Sequence, residues 1–217
     1  LAAIMFADIS GYSRMMSLNE DLTLSMNDYF IKTSSNIVSS YEGKIIKKIG
    51  DAVFCEFNSS KNAVDASMEI QKSLSEYNHS QPKDFKLLIR IGIHIGDIVV
   101  EEDGDILGDG VNVASRLESI APSGGVCVSK NVYDELINQE DFDGIELGLQ
   151  SLKGVGRLVE VFGLKGNKLT HPNPDKYKEN KITKHSGDEV PSIAIIPFEN
   201  KGKEEDVFYS YGISADL

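Results

Sequence analysis

Two aspartates, an asparagine and an arginine stand where they could do chemistry. Asp8 lies in Phe6-Ala7-Asp8-Ile9-Ser10-Gly11-Tyr12, and Asp51 in Lys47-Lys48-Ile49-Gly50-Asp51. A carboxylate beside a glycine turn is a hard oxygen donor that can close on a divalent ion, while the glycine lets phosphate oxygens approach the backbone. Neither phrase is specific alone, because Gly-Asp is also an ordinary turn sequence. The third phrase is Gly108-Asp109-Gly110-Val111-Asn112-Val113-Ala114-Ser115-Arg116. Asn112 and Arg116 share one face of a helix, opposite Val113 and Leu117. An amide beside a guanidinium suits a ribose oxygen and a phosphate undergoing displacement. Without context the pair reads first as an asparagine cap beside a solvated arginine.

The elements that must position these groups follow from periodicity. Residues 1–9 form an apolar run entering a glycine turn, which predicts a buried strand. Leu22, Met26, Tyr29, Thr33 and Ile37 form a helical stripe. Residues 44–57 read as two strands joined at Gly50-Asp51, followed by a helix with Ala63, Ala66, Ile70, Leu74 and Tyr77 on one face. In residues 87–95 every odd position is apolar, and Arg90, Gly92 and His94 alternate with them. Gly96-Asp97 suggests a hairpin from this strand to residues 98–101. A helix then starts near Val111, with Val113, Leu117 and Ile120 inward. A strand at 126–129, a helix at 131–137 and strands near Ile145 and Val159 complete the region. Helices and strands mix without strict alternation, which predicts an α+β sandwich.

Composition narrows the function classes. The chain has 217 residues and a formal net charge of −12, which argues against a nucleic-acid groove. It contains no apolar run of about 18 residues, the length a membrane span needs, and opens with no signal-peptide pattern. A cytoplasmic location and no membrane contact are expected of this stretch. It begins at Leu1 and reads as a fragment of a longer protein. Cys55 and Cys127 sit in apolar runs and are expected to be buried free thiols. Residues 1–165 read as one domain. Residues 166–191, rich in Lys, Asn, Asp and Pro, read as a linker or extension, and residues 192–217 as the truncated start of another domain.

The three phrases together resemble, in order and spacing, the signature of class III adenylate and guanylate cyclase catalytic domains, and Arg90-Ile91-Gly92-Ile93-His94-Ile95-Gly96 resembles that family's central strand. The likeness runs over about residues 1–164. It implies a ferredoxin-like βαββαβ core with an antiparallel-rich sheet, and a head-to-tail homodimer with its active sites at the interface. It implies two divalent cations, Mg²⁺ or Mn²⁺, held by Asp8, Asp51 and the backbone carbonyl of Ile9. One ion would activate the ribose 3′-hydroxyl for in-line attack on the α-phosphate, and the other would stabilise the triphosphate. Ser10, Gly11 and Tyr12 would line the substrate. Asn112 and Arg116 of the partner subunit would orient the ribose and stabilise charge on the α-phosphate.

The same resemblance places Lys47 and Asp105 at the two purine-reading positions. A lysine donor and an aspartate acceptor match adenine N1 and N6, whereas guanine presents the reverse at N1 and O6. A buried mismatch costs about 1–3 kcal/mol. Guanylate cyclases of the family typically carry Glu at the first position and often Cys at the second. An adenylate cyclase making cyclic AMP and pyrophosphate from ATP is therefore expected. The departure is Lys153-Gly154-Val155-Gly156-Arg157, where members often carry Lys-Gly-Lys-Gly and the second Lys binds the terminal phosphates. Val155 at that place leaves an alternative, a nucleotide-binding regulatory or dimerisation module with little turnover. Ile195-Ile196-Pro197-Phe198-Glu199-Asn200 resembles the start of a TolB-like domain.

Overall fold

The computed structural model describes residues 1–100, 106–139 and 142–178. The first strand, β1 (Ala2–Ile9), leads through a glycine turn into α1 (Tyr12–Leu18) and the long α2 (Glu20–Ser40). Asn19 starts α2 by accepting the Leu22 N–H at 3.0 Å, and Glu20 and Asp21 in the first turn favour the positive end of the helix dipole. The hairpin β2 (Lys44–Ile49) and β3 (Ala52–Phe57), then α3 (Ser60–Tyr77) and β4 (Ile89–Gly96), complete a βαββαβ unit. Its strands lie in the order β2-β3-β1-β4 and are all antiparallel. After α4 (Asp109–Ile120), strand β7 (Val126–Ser129) adds to β4 in parallel. Beyond α5 (Lys130–Leu136), the hairpin β8 (Gly144–Ser151) and β9 (Leu158–Leu164) extends the sheet to seven strands. This is the largely antiparallel sheet with helices packed on it that the sequence leads one to expect.

Both faces of the sheet are covered at its centre. Ala3, Met5, Ala7 and Ile9 of β1, with Ile89, Ile91 and Ile93 of β4, meet buried residues of α2 and α3 in the main core. On the other face, Ile4 and Phe6 cluster with Phe54 and with Ala114 of α4. The buried stripe of α2 is Thr23, Met26, Phe30, Ser34 and Val38, which corrects the expected Leu22-Met26-Tyr29-Thr33-Ile37 line. Small polar residues take core places there: the Thr23 hydroxyl donates back to the Asn19 carbonyl at 2.7 Å, so its burial leaves no donor unmet. Tyr29 instead stacks on Tyr77 at the surface.

A second correction concerns the strand after Gly96. β5 (Val99–Val100) pairs with β6 (Ile106–Leu107) in a separate two-stranded ribbon, and not with β4. β4 cannot take another neighbour, since β1 and β7 already occupy both its edges. Residues 166–178, which composition groups with a linker, lie against the domain: the Thr170 N–H donates to the Gly124 carbonyl at 2.9 Å, and the Tyr177 hydroxyl to the Ile120 carbonyl at 2.7 Å. The stretch that resembles a TolB-like domain lies outside the described residues. Cys55 and Cys127 are buried free thiols, each pushed up to about 12 by burial. Buried His94 meets the Ser129 hydroxyl at 2.7 Å, and burial lowers its pKa to about 4, so it is neutral. Among the described residues no helix is long and apolar enough to cross a membrane.

The seating of α4 on β4 depends on Gly92. A Cβ there would stand 2.1 Å from the Glu118 nitrogen and 2.4 Å from the Ala114 carbonyl oxygen, and backbone cannot swing aside. Gly92→Ala is expected to lower stability by about 3 kcal/mol. Gly156→Ala, whose Cβ meets nothing within 4 Å, should change little. Urea unfolding of both variants checks this, and equal midpoints would mean α4 is not seated as described.

Candidate active site

The sheet register assembles the first half of the site. Asp8, near the end of β1, lies opposite Arg90 of β4 on one side and Ala52 of β3 on the other. Alternation puts Asp8 on the face of Ile4 and Phe6, under α4. Asp51 sits in the tight turn between β2 and β3, one residue before Ala52. Arg90 Nη2 reaches Asp8 Oδ2 at 2.5 Å, and its Nε stands 3.0 Å from Glu118 Oε1. The second contact is charge proximity without a formed hydrogen bond, since both atoms lack a partner of acceptable geometry. Arg90 is thus a cation held between a strand carboxylate and a helix carboxylate.

Burial works against the charge of the carboxyls around Arg90. Burial, and then the neighbouring Asp8 carboxylate, raise Asp51 from 3.8 to about 6. Glu118 rises from 4.5 to about 7 because burial outweighs the attraction of Arg90. Two carboxyls that resist losing their protons beside a third mark a place that accepts more positive charge.

The oxygen-only donors suit a hard ion such as Mg²⁺ or Mn²⁺. Among the described residues no three His, Cys, Asp or Glu side chains form a complete cage. Asp8 and Asp51, close enough to shift each other's titration, suit an ion that draws its remaining ligands from water and phosphates, as Mg²⁺ usually does.

Lys47 lies opposite Phe54 on β2, and Phe54 stacks on Phe6 with centroids 4.8 Å apart. Lys47 therefore shares the sheet face of Asp8. Asp105 lies outside the described residues. Asn112 and Arg116 project from α4, Asn112 exposed and Arg116 half-buried. Arg116 Nε donates to the Lys153 carbonyl at 2.9 Å. It is Glu118 that reaches from α4 towards the carboxylates. The carboxylates around Arg90 and the Asn112–Arg116 pair thus stand as two groups on one chain. Gly11 is left-handed at φ 78°, just before α1. Ser10 is engaged internally, its N–H by the Leu88 carbonyl at 2.8 Å and its hydroxyl by Ser123 at 2.6 Å. The Tyr12 ring packs on the main core.

Sequence reasoning gave Arg90 and Glu118 no part in the site. A signal existed for Arg90, a charge inside a strand whose alternate positions are all isoleucine. Glu118 follows Ala114 by four residues on a helix face that is otherwise apolar, which is where a buried acid with a partner belongs.

The model of the adenylate and guanylate cyclase catalytic domain matches residues 2–166; the chain belongs to that family. It is 33% identical over 219 residues to a protein called putative adenylate cyclase 3 of Rhizobium meliloti, covering 100% of this chain and 37% of that protein. The chain thus spans little more than a third of that curated relative. A crystal structure of an adenylate/guanylate cyclase/hydrolase from Silicibacter pomeroyi aligns with a TM-score of 0.69 and 34% identity, over 76% of this chain and 96% of that one. An adenylyl cyclase from P. aeruginosa shares the fold, with a TM-score of 0.66 at 22% identity over 78% of this chain and 96% of that one.

The raised carboxyls have a consequence for stability. The folded chain holds protons on Asp51 and Glu118 that the unfolded chain has released, so their stabilising contribution is full below about pH 4 and is lost as pH rises through 6 to 7. For Glu118 the loss is at most about 3 kcal/mol. With chelator present, urea midpoints at pH 5 and pH 8 should fall less for Glu118→Gln than for the wild type. An equal fall in both would remove Glu118 from this account.

Proposed function

We propose that the domain is an adenylate cyclase, converting ATP to 3′,5′-cyclic AMP and pyrophosphate as a homodimer. The observation that carries this is the meeting of Asp8 and Asp51 beside Arg90, on the sheet face that also bears Lys47. Asp8, Asp51 and the Ile9 carbonyl hold two Mg²⁺ or Mn²⁺ ions. Bound there, the ions supply activation of the ribose 3′-hydroxyl and charge stabilisation on the triphosphate.

The protein's own groups do the rest. The 3′-oxygen forms a bond to the α-phosphorus as the bond to the bridging β-phosphate oxygen breaks, and pyrophosphate leaves. Ser10, Gly11 and Tyr12 form the substrate-facing turn after β1. Lys47 donates to adenine N1, and Asp105 accepts from N6. The partner subunit's Asn112 and Arg116 orient the ribose and stabilise charge on the α-phosphate. That division follows the separation of the two groups within one chain, and a symmetric dimer completes both sites at once. No covalent nucleophile is required, in keeping with two buried, protonated thiols.

Incubation with ATP and Mn²⁺, and separately with GTP and Mn²⁺, tests this directly. Cyclic AMP is expected, with turnover down about a thousandfold or more in Asp51→Ala, the loss of several kcal/mol of charge stabilisation. Equal mixing of Asp51→Ala with Arg116→Ala should restore about a quarter of wild-type activity, because half the dimers carry one intact site of two. A mixture that stays inactive while mixed dimers form would sink the shared site. ATP binding without cyclic product from a folded dimer would favour the regulatory module that Val155 leaves open. Cyclic GMP as the main product would overturn the roles of Lys47 and Asp105.

A further inference from the structure

The turn between β8 and β9 carries the chain's departure from the family pattern, and its geometry gives Val155 a different task. The Val155 side chain is 9% exposed and packs in the cluster of Val113 and Leu117 of α4 with Leu152 and Val159. Its N–H closes on the Leu152 carbonyl at 3.0 Å. Both ends of the turn are thus sunk in the core, and the exposed Lys153-Gly154 tip stands between them. Gly154 is left-handed at φ 78°, a conformation open to glycine at little cost. At this tip the Lys153 carbonyl accepts the Arg116 Nε–H at 2.9 Å. On the far side, Arg157 pairs with Asp109, the first residue of α4. The turn is therefore fastened to the helix that carries Asn112 and Arg116.

We propose that Val155 is a positioning residue for Arg116. Sunk beside Leu152, it holds the Lys153 carbonyl against Arg116 Nε. A guanidinium is planar, so fixing Nε–H fixes the plane and direction of the Nη1 and Nη2 donors that would meet a phosphate. The site at 155 is then an anchor under the turn, and a lysine introduced there would start among apolar side chains without reaching a phosphate. This inference rests on the cyclase reading for its catalytic meaning, while the anchoring itself is a property of the folded chain.

Two variants test it in the full chain. Val155→Ala removes the anchor, and Gly154→Ala strains the tip while leaving the core untouched, since a Cβ there meets nothing within 4 Å. In both, solvent exchange of the Arg116 Nε–H, followed by nuclear magnetic resonance, should quicken about tenfold, the loss of one charge-assisted hydrogen bond. The kcat for cyclic AMP should fall by a similar factor with KM for ATP unchanged, Val155→Ile should restore both readings, and neither substitution should lower kcat further in an Arg116→Ala background. Unchanged Nε–H exchange in the folded variants would overturn the proposal, as would a lower KM for ATP in Val155→Lys. If Val155→Ala fails to fold, Gly154→Ala decides. If the wild type makes no cyclic product, the cyclase reading fails, and Nε–H exchange still decides the anchoring.

Discussion

The close approach of α4 to β4 holds the candidate site together. At Gly92 the strand lies against helix backbone with no room for a side chain, and one helical turn along α4 the approach is still tight, an added Cβ at Gly96 falling 3.1 Å from the Gly110 Cα. This seating brings Glu118 within reach of Arg90, and the antiparallel register places Arg90 across from Asp8. It also sets which residues of α4 point away from the sheet. Val113, Ala114 and Leu117 are buried, so Asn112 and Arg116, offset from them around the helix, face the turn after β8 or solvent. One helix thus supports the carboxylate group through Glu118 and presents the amide–guanidinium pair on another side.

The electrostatics follow from that seating. Glu118 is brought into a largely apolar layer, and the nearby Arg90 does not recover the full cost of its desolvation, which is the usual outcome for a buried ion pair of imperfect geometry. Arg90 is shared, with its terminal nitrogen on Asp8 and its Nε facing Glu118 without a formed hydrogen bond. Asp51 gains least from Arg90, which stands last among the influences on its titration. The three carboxyls thus share Arg90 in a partly desolvated place. Such an arrangement lowers stability near neutral pH and suits a site that accepts positive charge from solution.

How much of this was legible in the sequence depended on the kind of signal. The strands and helices of the βαββαβ unit follow from periodicity, and Asp8, Asp51, Asn112 and Arg116 from phrases whose residue types fit one chemistry. The α2 stripe was misplaced because apolarity was the only guide, and it has no way to mark Thr23 and Ser34 as core. The β5 pairing was misread because a Gly-Asp step suggests a hairpin locally, whereas the edges of β4 were claimed by β1 and by β7, a strand 30 residues further on. Arg90 and Glu118 were overlooked as partners because their contact is tertiary: 28 residues separate them, and only the strand–helix seating brings them together.

Val155 shows the same limit from the opposite direction. Aligned by motif, it occupies the place of a missing phosphate ligand. Placed in the fold, it is an apolar side chain in an apolar cluster, and the turn around it has polar fastenings of its own: the Lys153 carbonyl on Arg116 and Arg157 on Asp109. The Arg157–Asp109 pair is more than half exposed on both sides, so it adds little stability, and the fastening relies on burial of Leu152 and Val155. A position that motif comparison reads as a loss is, in this chain, part of the support for the helix that bears Asn112 and Arg116. The two groups on either side of α4 are then mechanically joined, since the helix that leans on Asp8 through Arg90 is the one that the β8–β9 turn holds at Arg116. In the proposed dimer these groups serve different active sites, and α4 touches both, through Glu118 and through Arg116.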